Sequence, residues 1–103
     1  MPTKPTLCID IDGVIAQTEQ VPYEYLDAIP EASKTIEALR TKYFIVLHTG
    51  RHYDKAQETI KWLEAKAIQY DTINFGKPPA VAYIDDKGVK FETWEKIRAE
   101  FLA

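Results

Sequence analysis

Two aspartates two positions apart, Asp10 and Asp12, close an apolar run that begins at Leu7. In an extended chain residues i and i+2 point to the same side. Both carboxylates are therefore expected to share one space where the strand stops and Gly13 lets the backbone turn. Like charges held at the end of a buried strand are unfavourable unless a divalent cation or a shared proton neutralises them. Three further polar clusters, Thr49–Gly50–Arg51, Gly76–Lys77 and Asp85–Asp86, each follow an apolar run. These residue types suit phosphoryl transfer. A phosphate monoester needs a metal ion and a lysine or arginine against its negative charge, a nucleophile in line with the leaving oxygen, and an acid to protonate that oxygen. Asp10 has the chemistry of the nucleophile, forming an aspartyl-phosphate, and Asp12 that of the acid that later becomes the base. Asp85 adds a third carboxylate to a hard, oxygen-rich set for Mg²⁺. Thr49 offers a hydroxyl, the amides around Gly50 suit phosphate oxygens, and Lys77 offsets charge. Arg51 is either a phosphate or substrate contact or a surface charge. His48 and His52 are expected in structural and loop roles, because the aspartates already fill the proton-transfer roles.

The elements that must position these residues follow from periodicity. Residues 7–15 hold the first strand and the turn after it, and residues 16–29 form an irregular flap without a clean period. A helix opens near Pro30 and Glu31, with Ala32, Ile36, Leu39 and Tyr43 on one stripe and Lys34, Glu37, Arg40 and Lys42 opposite. A second strand covers residues 43–47. A second helix runs from 53 or 54 to 66, capped by Asp54, with Ala56, Ile60, Leu63 and Ala67 inward. A weaker third strand is expected over 68–75 and a fourth over 80–84. A last helix over 92–102 turns Trp94, Ile97 and Phe101 inward. Strands alternating with helices at this spacing imply βαβ units and a parallel sheet, whose ligands sit at the carboxyl ends of the strands. All four polar clusters would then gather on one rim.

The chain has 103 residues, 46% of them hydrophobic and 12% aromatic, which suits one globular domain over residues 1–103 rather than a disordered segment. Its core is small, so an oligomer would help it. The net charge of −3 and the scattered lysines give no electrostatic reason for a nucleic-acid partner. A lone cysteine, Cys8, rules out an internal disulfide, suggests a reducing compartment, and is expected as an apolar filler inside the first strand. With no long apolar run and only a short polar lead-in over residues 1–5, no membrane partner and a cytoplasmic location are expected.

The four clusters, in order, resemble the motifs of the haloacid dehalogenase superfamily of phosphatases and phosphotransferases. Asp10–Ile11–Asp12–Gly13–Val14 is similar to the first motif, Leu47–His48–Thr49 to the second, the lysine of Gly76–Lys77–Pro78 to the third, and Ile84–Asp85–Asp86 to the fourth. The resemblance implies an α/β, three-layer Rossmann-like (HAD-like) fold with a parallel sheet flanked by helices. It also implies Mg²⁺ held by the Asp10 carboxylate, the Asp12 backbone carbonyl and Asp85, with Asp86 ligating directly or through water. An aspartate at position 12 implies a phosphate ester rather than a halogenated acid or phosphonate. The stretch from Phe75 to Lys87 is similar to small bacterial members linked to surface-polysaccharide synthesis, which leans toward a sugar phosphate. Residues 14–29 and 50–53 leave no room for the cap domain that most members carry. An open site implies either a bulkier phosphate ester or a lid borrowed from a second copy in a homo-oligomer. The alternatives are a phosphotransferase of the same superfamily and a catalytically inactive metal-binding module. A response-regulator receiver uses similar residues, but in another order.

Overall fold

The computed structural model describes residues 4–103; residues 1–3, part of the polar lead-in, lie outside the described residues. Three short strands form one parallel sheet in the order β1-β2-β3: β1 Thr6–Asp10, β2 Phe44–His48 and β3 Thr72–Asn74. Helices α1 Ala32–Arg40, α2 Ala56–Ala65 and α3 Trp94–Phe101 accompany it. The chain is thus an α/β protein with a three-stranded parallel sheet flanked by helices.

The register brings Leu7 beside Ile45, and Ile9, Leu47 and Ile73 into one row. Ile9, Ile45 and Leu47 are buried on that face in one cluster with Ile36 and Leu39 of α1, Trp62 and Leu63 of α2, and Trp94 of α3. Alternation puts Thr6, Cys8, Phe44, Thr72 and Asn74 on the opposite face, and all five are exposed. Cys8 is therefore not the buried filler that the sequence suggests. Its strand is covered on one side only.

The stripes expected on α1 and α3 are inward, with Thr35 joining α1's buried row. Helix α2 is rotated from expectation: Thr59, Trp62 and Leu63 are buried, while Ile60 is 38% exposed. It follows a 3₁₀ turn over Tyr53–Lys55, whose cap is His52 rather than Asp54, because the His52 Nδ1 accepts from the Asp54 amide at 3.2 Å. At the far end of α2, Ala67 takes a left-handed φ of 57°. The Ala67 and Ile68 amides donate to the Glu64 and Leu63 carbonyls, closing a Schellman motif without its usual glycine.

The strand expected over 80–84 does not form, and every residue from 78 to 90 is exposed. Geometry explains why. The Lys77 amide donates to the Thr49 carbonyl at 2.9 Å, which places Lys77 at the carboxyl end of the sheet, just past β2. A parallel strand starting at residue 80 would have to enter from the opposite end, roughly 13 Å away along the strand and about 5 Å across. Three residues reach only about 10 Å. Parallel neighbours ordinarily need a crossover of about a dozen residues.

Candidate active site

β1 ends at Asp10, and the chain then folds over itself. The amides of Val14, Ile15 and Ala16 all donate to the Ile11 carbonyl, and Gly13 takes a φ of 84°. A residue with a Cβ is strained at that angle, so glycine suits the corner. Asp12 is carried out of the strand onto this turn. The flap behind it is irregular, as expected, and one tryptophan fastens the turn while the other fastens the flap. The Trp94 Nε1 donates to the Val14 carbonyl at 2.9 Å and the Trp62 Nε1 to the Leu26 carbonyl at 2.8 Å.

The loops after β2 and β3 run side by side on the same rim. The Thr49 amide donates to the Asn74 carbonyl at 3.0 Å, and the Gly76 amide to the Arg51 carbonyl at 3.0 Å. The approach is close: a Cβ at Gly50 would lie 3.4 Å from the Lys77 carbonyl oxygen, at the near edge of ordinary contact. The pairing sends the Lys77 side chain across to β1, where its Nζ is 3.3 Å from Asp10 Oδ2. The other Asp10 oxygen accepts from the Ile11 amide at 2.8 Å. Lys77 Nζ also lies 3.9 Å from the centroid of the Tyr83 ring, whose hydroxyl donates to the Pro78 carbonyl. Residues 67 apart in sequence thus meet as the spacing of motifs suggests.

Arg51 occupies a place that the sequence does not show. Its Nε donates to Asp12 Oδ2 at 3.0 Å and its Nη2 to Asp12 Oδ1 at 2.8 Å, a fork-to-fork ion pair. The Nη1 donates to the Thr59 hydroxyl at 3.0 Å, and the Tyr23 ring covers the guanidinium at 3.8 Å. The Arg51 side chain is 1% exposed. Thr49 is fully buried, and its hydroxyl oxygen accepts from the Arg51 amide at 3.1 Å, whereas Gly50 stands exposed at the loop tip. Arg51 and Lys77 therefore supply the two positive charges that neutralise Asp10 and Asp12.

His48 sits level with Asp10 across the β1–β2 ladder. Burial and the nearby Lys77 charge lower its pKa below the usual imidazole value, against a smaller opposing pull from Asp10. It is a neutral neighbour of the site near pH 7. Asp85 is not gathered with Asp10 and Asp12: its Oδ1 accepts from the Lys87 and Gly88 amides at 2.7 and 2.5 Å, in an exposed turn of its own. Asp86 is exposed beside it. Among the described residues no group of three His, Cys, Asp or Glu side chains is placed to hold a metal ion.

Sequence reasoning missed Thr59 and Tyr83 as neighbours of these charges, and left Tyr23 between flap packing and an open substrate surface. Thr59 left one signal, a polar residue within a turn of α2's apolar positions. Tyr83 left none, since the sequence puts it inside an expected strand.

The fold and rim define an α/β protein with charged residues gathered at the carboxyl ends of parallel strands. No protein-family model and no curated protein sequence matches the chain. The crystal structure of a structural-genomics target from Vibrio cholerae is similar, with a TM-score of 0.72 and 23% identity, covering 95% of this chain and 97% of that one. The likeness concerns the fold alone. No helix among the described residues is long and apolar enough to cross a membrane.

Proposed function

We propose that this chain is a phosphatase of the haloacid dehalogenase type, a capless Rossmann-like member that hydrolyses a phosphate monoester through an aspartyl-phosphate. The observation that carries the reading is Lys77 Nζ at 3.3 Å from Asp10 Oδ2, on the rim that also holds Asp12 and the exposed Gly50. Asp10 attacks phosphorus, and the bond to the ester oxygen breaks as Asp12, which takes up a proton when substrate binds, gives that proton to the oxygen. Water then attacks the aspartyl-phosphate, Asp12 takes the proton back, and inorganic phosphate leaves with Asp10 restored. Lys77 offsets charge on the nucleophile and on the transferring group. In this reading the Gly50 amide meets a phosphate oxygen, and Thr49, whose hydroxyl accepts from the Arg51 amide, holds the loop that presents it.

Charge balance supports a cation requirement. With Asp12 carrying the proton that it donates, Asp10, Arg51 and Lys77 sum to +1, so a phosphate of about −2 leaves about one negative charge uncompensated. Mg²⁺ is part of the proposal on that ground and would supply Lewis-acid stabilisation. The acids as arranged do not form a ligand set for it, because Asp85 is held in its own turn. A sugar phosphate as substrate, a cytoplasmic location and a lid lent by a second copy belong to the same proposal.

Turnover of p-nitrophenyl phosphate with Mg²⁺ and with EDTA, in wild type and Asp10→Asn, tests it. The variant is expected to lose at least about 1,000-fold in kcat/KM. Equal rates in the two would remove Asp10 as nucleophile. The place of Asp85 favours one second reading, an inactive metal-binding module, which predicts a Mg²⁺-dependent rise in Tm with no turnover across a phosphate-ester panel.

A further inference from the structure

We propose that Arg51 is a positioning residue that holds the Asp12 carboxylate in its proton-transfer orientation, rather than a contact to substrate. The inference rests on the phosphatase reading and adds a role that the motif spacing does not assign. Three guanidinium nitrogens are committed inside the protein: Nε and Nη2 to the two oxygens of Asp12, and Nη1 to the Thr59 hydroxyl. The Tyr23 ring closes over the group at 3.8 Å, leaving the side chain 1% exposed. Such a group is not free to meet a phosphate that arrives at Asp10. Its backbone is pinned as well, the amide on the Thr49 hydroxyl and the carbonyl on the Gly76 amide.

What this geometry accomplishes is orientation. Asp12 sits on a turn, outside any strand, with 34% of its side chain exposed. A carboxylate on a turn samples rotamers unless something fixes it. A planar fork engages both oxygens at once and sets the plane of the carboxylate, which an ammonium group does not. Thr59 anchors the fork to α2, and Tyr23 ties it to the flap. Asp12 is thus placed by two elements remote from it in sequence, and misplacing an acid by about 1 Å lowers the rate steeply.

The test compares full-length wild type, Arg51→Ala, Arg51→Lys and Asp12→Asn/Arg51→Ala on p-nitrophenyl phosphate with Mg²⁺. Arg51→Ala is expected to lower kcat about 100-fold while KM stays within about threefold, as loss of an oriented acid requires. Guanidinium chloride at tens of millimolar should restore about tenfold of that loss in Arg51→Ala and none in the double variant. Arg51→Lys keeps the charge without the fork, so kcat should fall by about tenfold at unchanged KM. A raised KM with kcat preserved makes Arg51 a substrate contact and overturns the proposal, as does wild-type kcat in Arg51→Lys. If Arg51→Ala does not fold, the lysine variant decides. Absence of turnover in wild type removes the phosphatase reading instead. In that case the Tm losses of Arg51→Lys, Asp12→Asn and their combination decide the ion pair: a combined loss smaller than the sum supports the coupling, and additive losses overturn it.

Discussion

The rim beyond β1 and the segment over residues 78–90 share a sequence pattern, an apolar run that ends in two acids, yet the fold handles them in opposite ways. Asp10 and Asp12 are each met by a cation, and the run before them supplies Ile9 to the core. Asp85 is met only by amides of its own turn, and Val81 and Ile84 in the run before it are almost wholly exposed. The difference lies in what the chain offers each run. The first is paired along its length with β2. The second begins too soon after Lys77 to reach a free strand edge in parallel. Apolar character alone does not make a strand; a partner edge within reach does.

The largest expected effects would break this contrast outright. Trp94→Ala removes a buried indole that also holds the Val14 carbonyl, and should cost about 3–5 kcal/mol in urea unfolding. Ile84→Ser, by contrast, should lie within about 0.5 kcal/mol of wild type. A loss near that of Trp94→Ala would mean that residues 80–84 are packed in solution. Limited trypsin digestion offers a second check, with first cleavage expected after Lys87 or Lys90 and the Arg51 bond resistant.

Acid should sharpen the contrast more gently. His48 has a lowered pKa, so the unfolded chain takes up a proton more readily than the folded one, and stability falls as pH drops below about 6.5. His48→Gln should remove that slope. The Asp71 carboxyl is also held below its ordinary value, chiefly by the Arg40 side chain and by the Ile45 amide at 2.7 Å. Its contribution is present above pH 3.8 and is lost as pH falls through the lowered pKa, and Tm against pH in wild type and Asp71→Asn separates the two steps. One further effect is a gain. Ala67→Gly relieves a left-handed alanine at the end of α2 and should stabilise by about 0.5–1 kcal/mol in urea unfolding.

Much of the scaffold was legible because it depends on local periodicity. The 3.6-residue stripe placed Ala32, Ile36 and Leu39 inward on α1, and Trp94, Ile97 and Phe101 inward on α3. The strands at 6–10 and 44–48 were anticipated within a few residues of their ends. The same reasoning failed at Asp54, since His52, in the loop as expected, takes the cap of the turn before α2 through a ring nitrogen. It failed again at Ile60, where a rotation of α2 gives Thr59 the inward place. Cys8 was expected inside because parallel sheets are commonly covered on both faces. Which faces are covered depends on where helices pack, and period does not encode that.

By itself the order of residues determined the parallel sheet and the rim on which Asp10, Thr49 and Lys77 gather, since each follows from hydrophobic period and from ligands sitting at strand ends. Only the tertiary structure decided that Arg51 turns inward onto Asp12 and Thr59, and that Asp85 stays in a turn of its own. An ion pair is selected by distance and angle among groups far apart in the chain, and a strand by the edge it can reach. Neither quantity is written in the spacing of residues along the sequence.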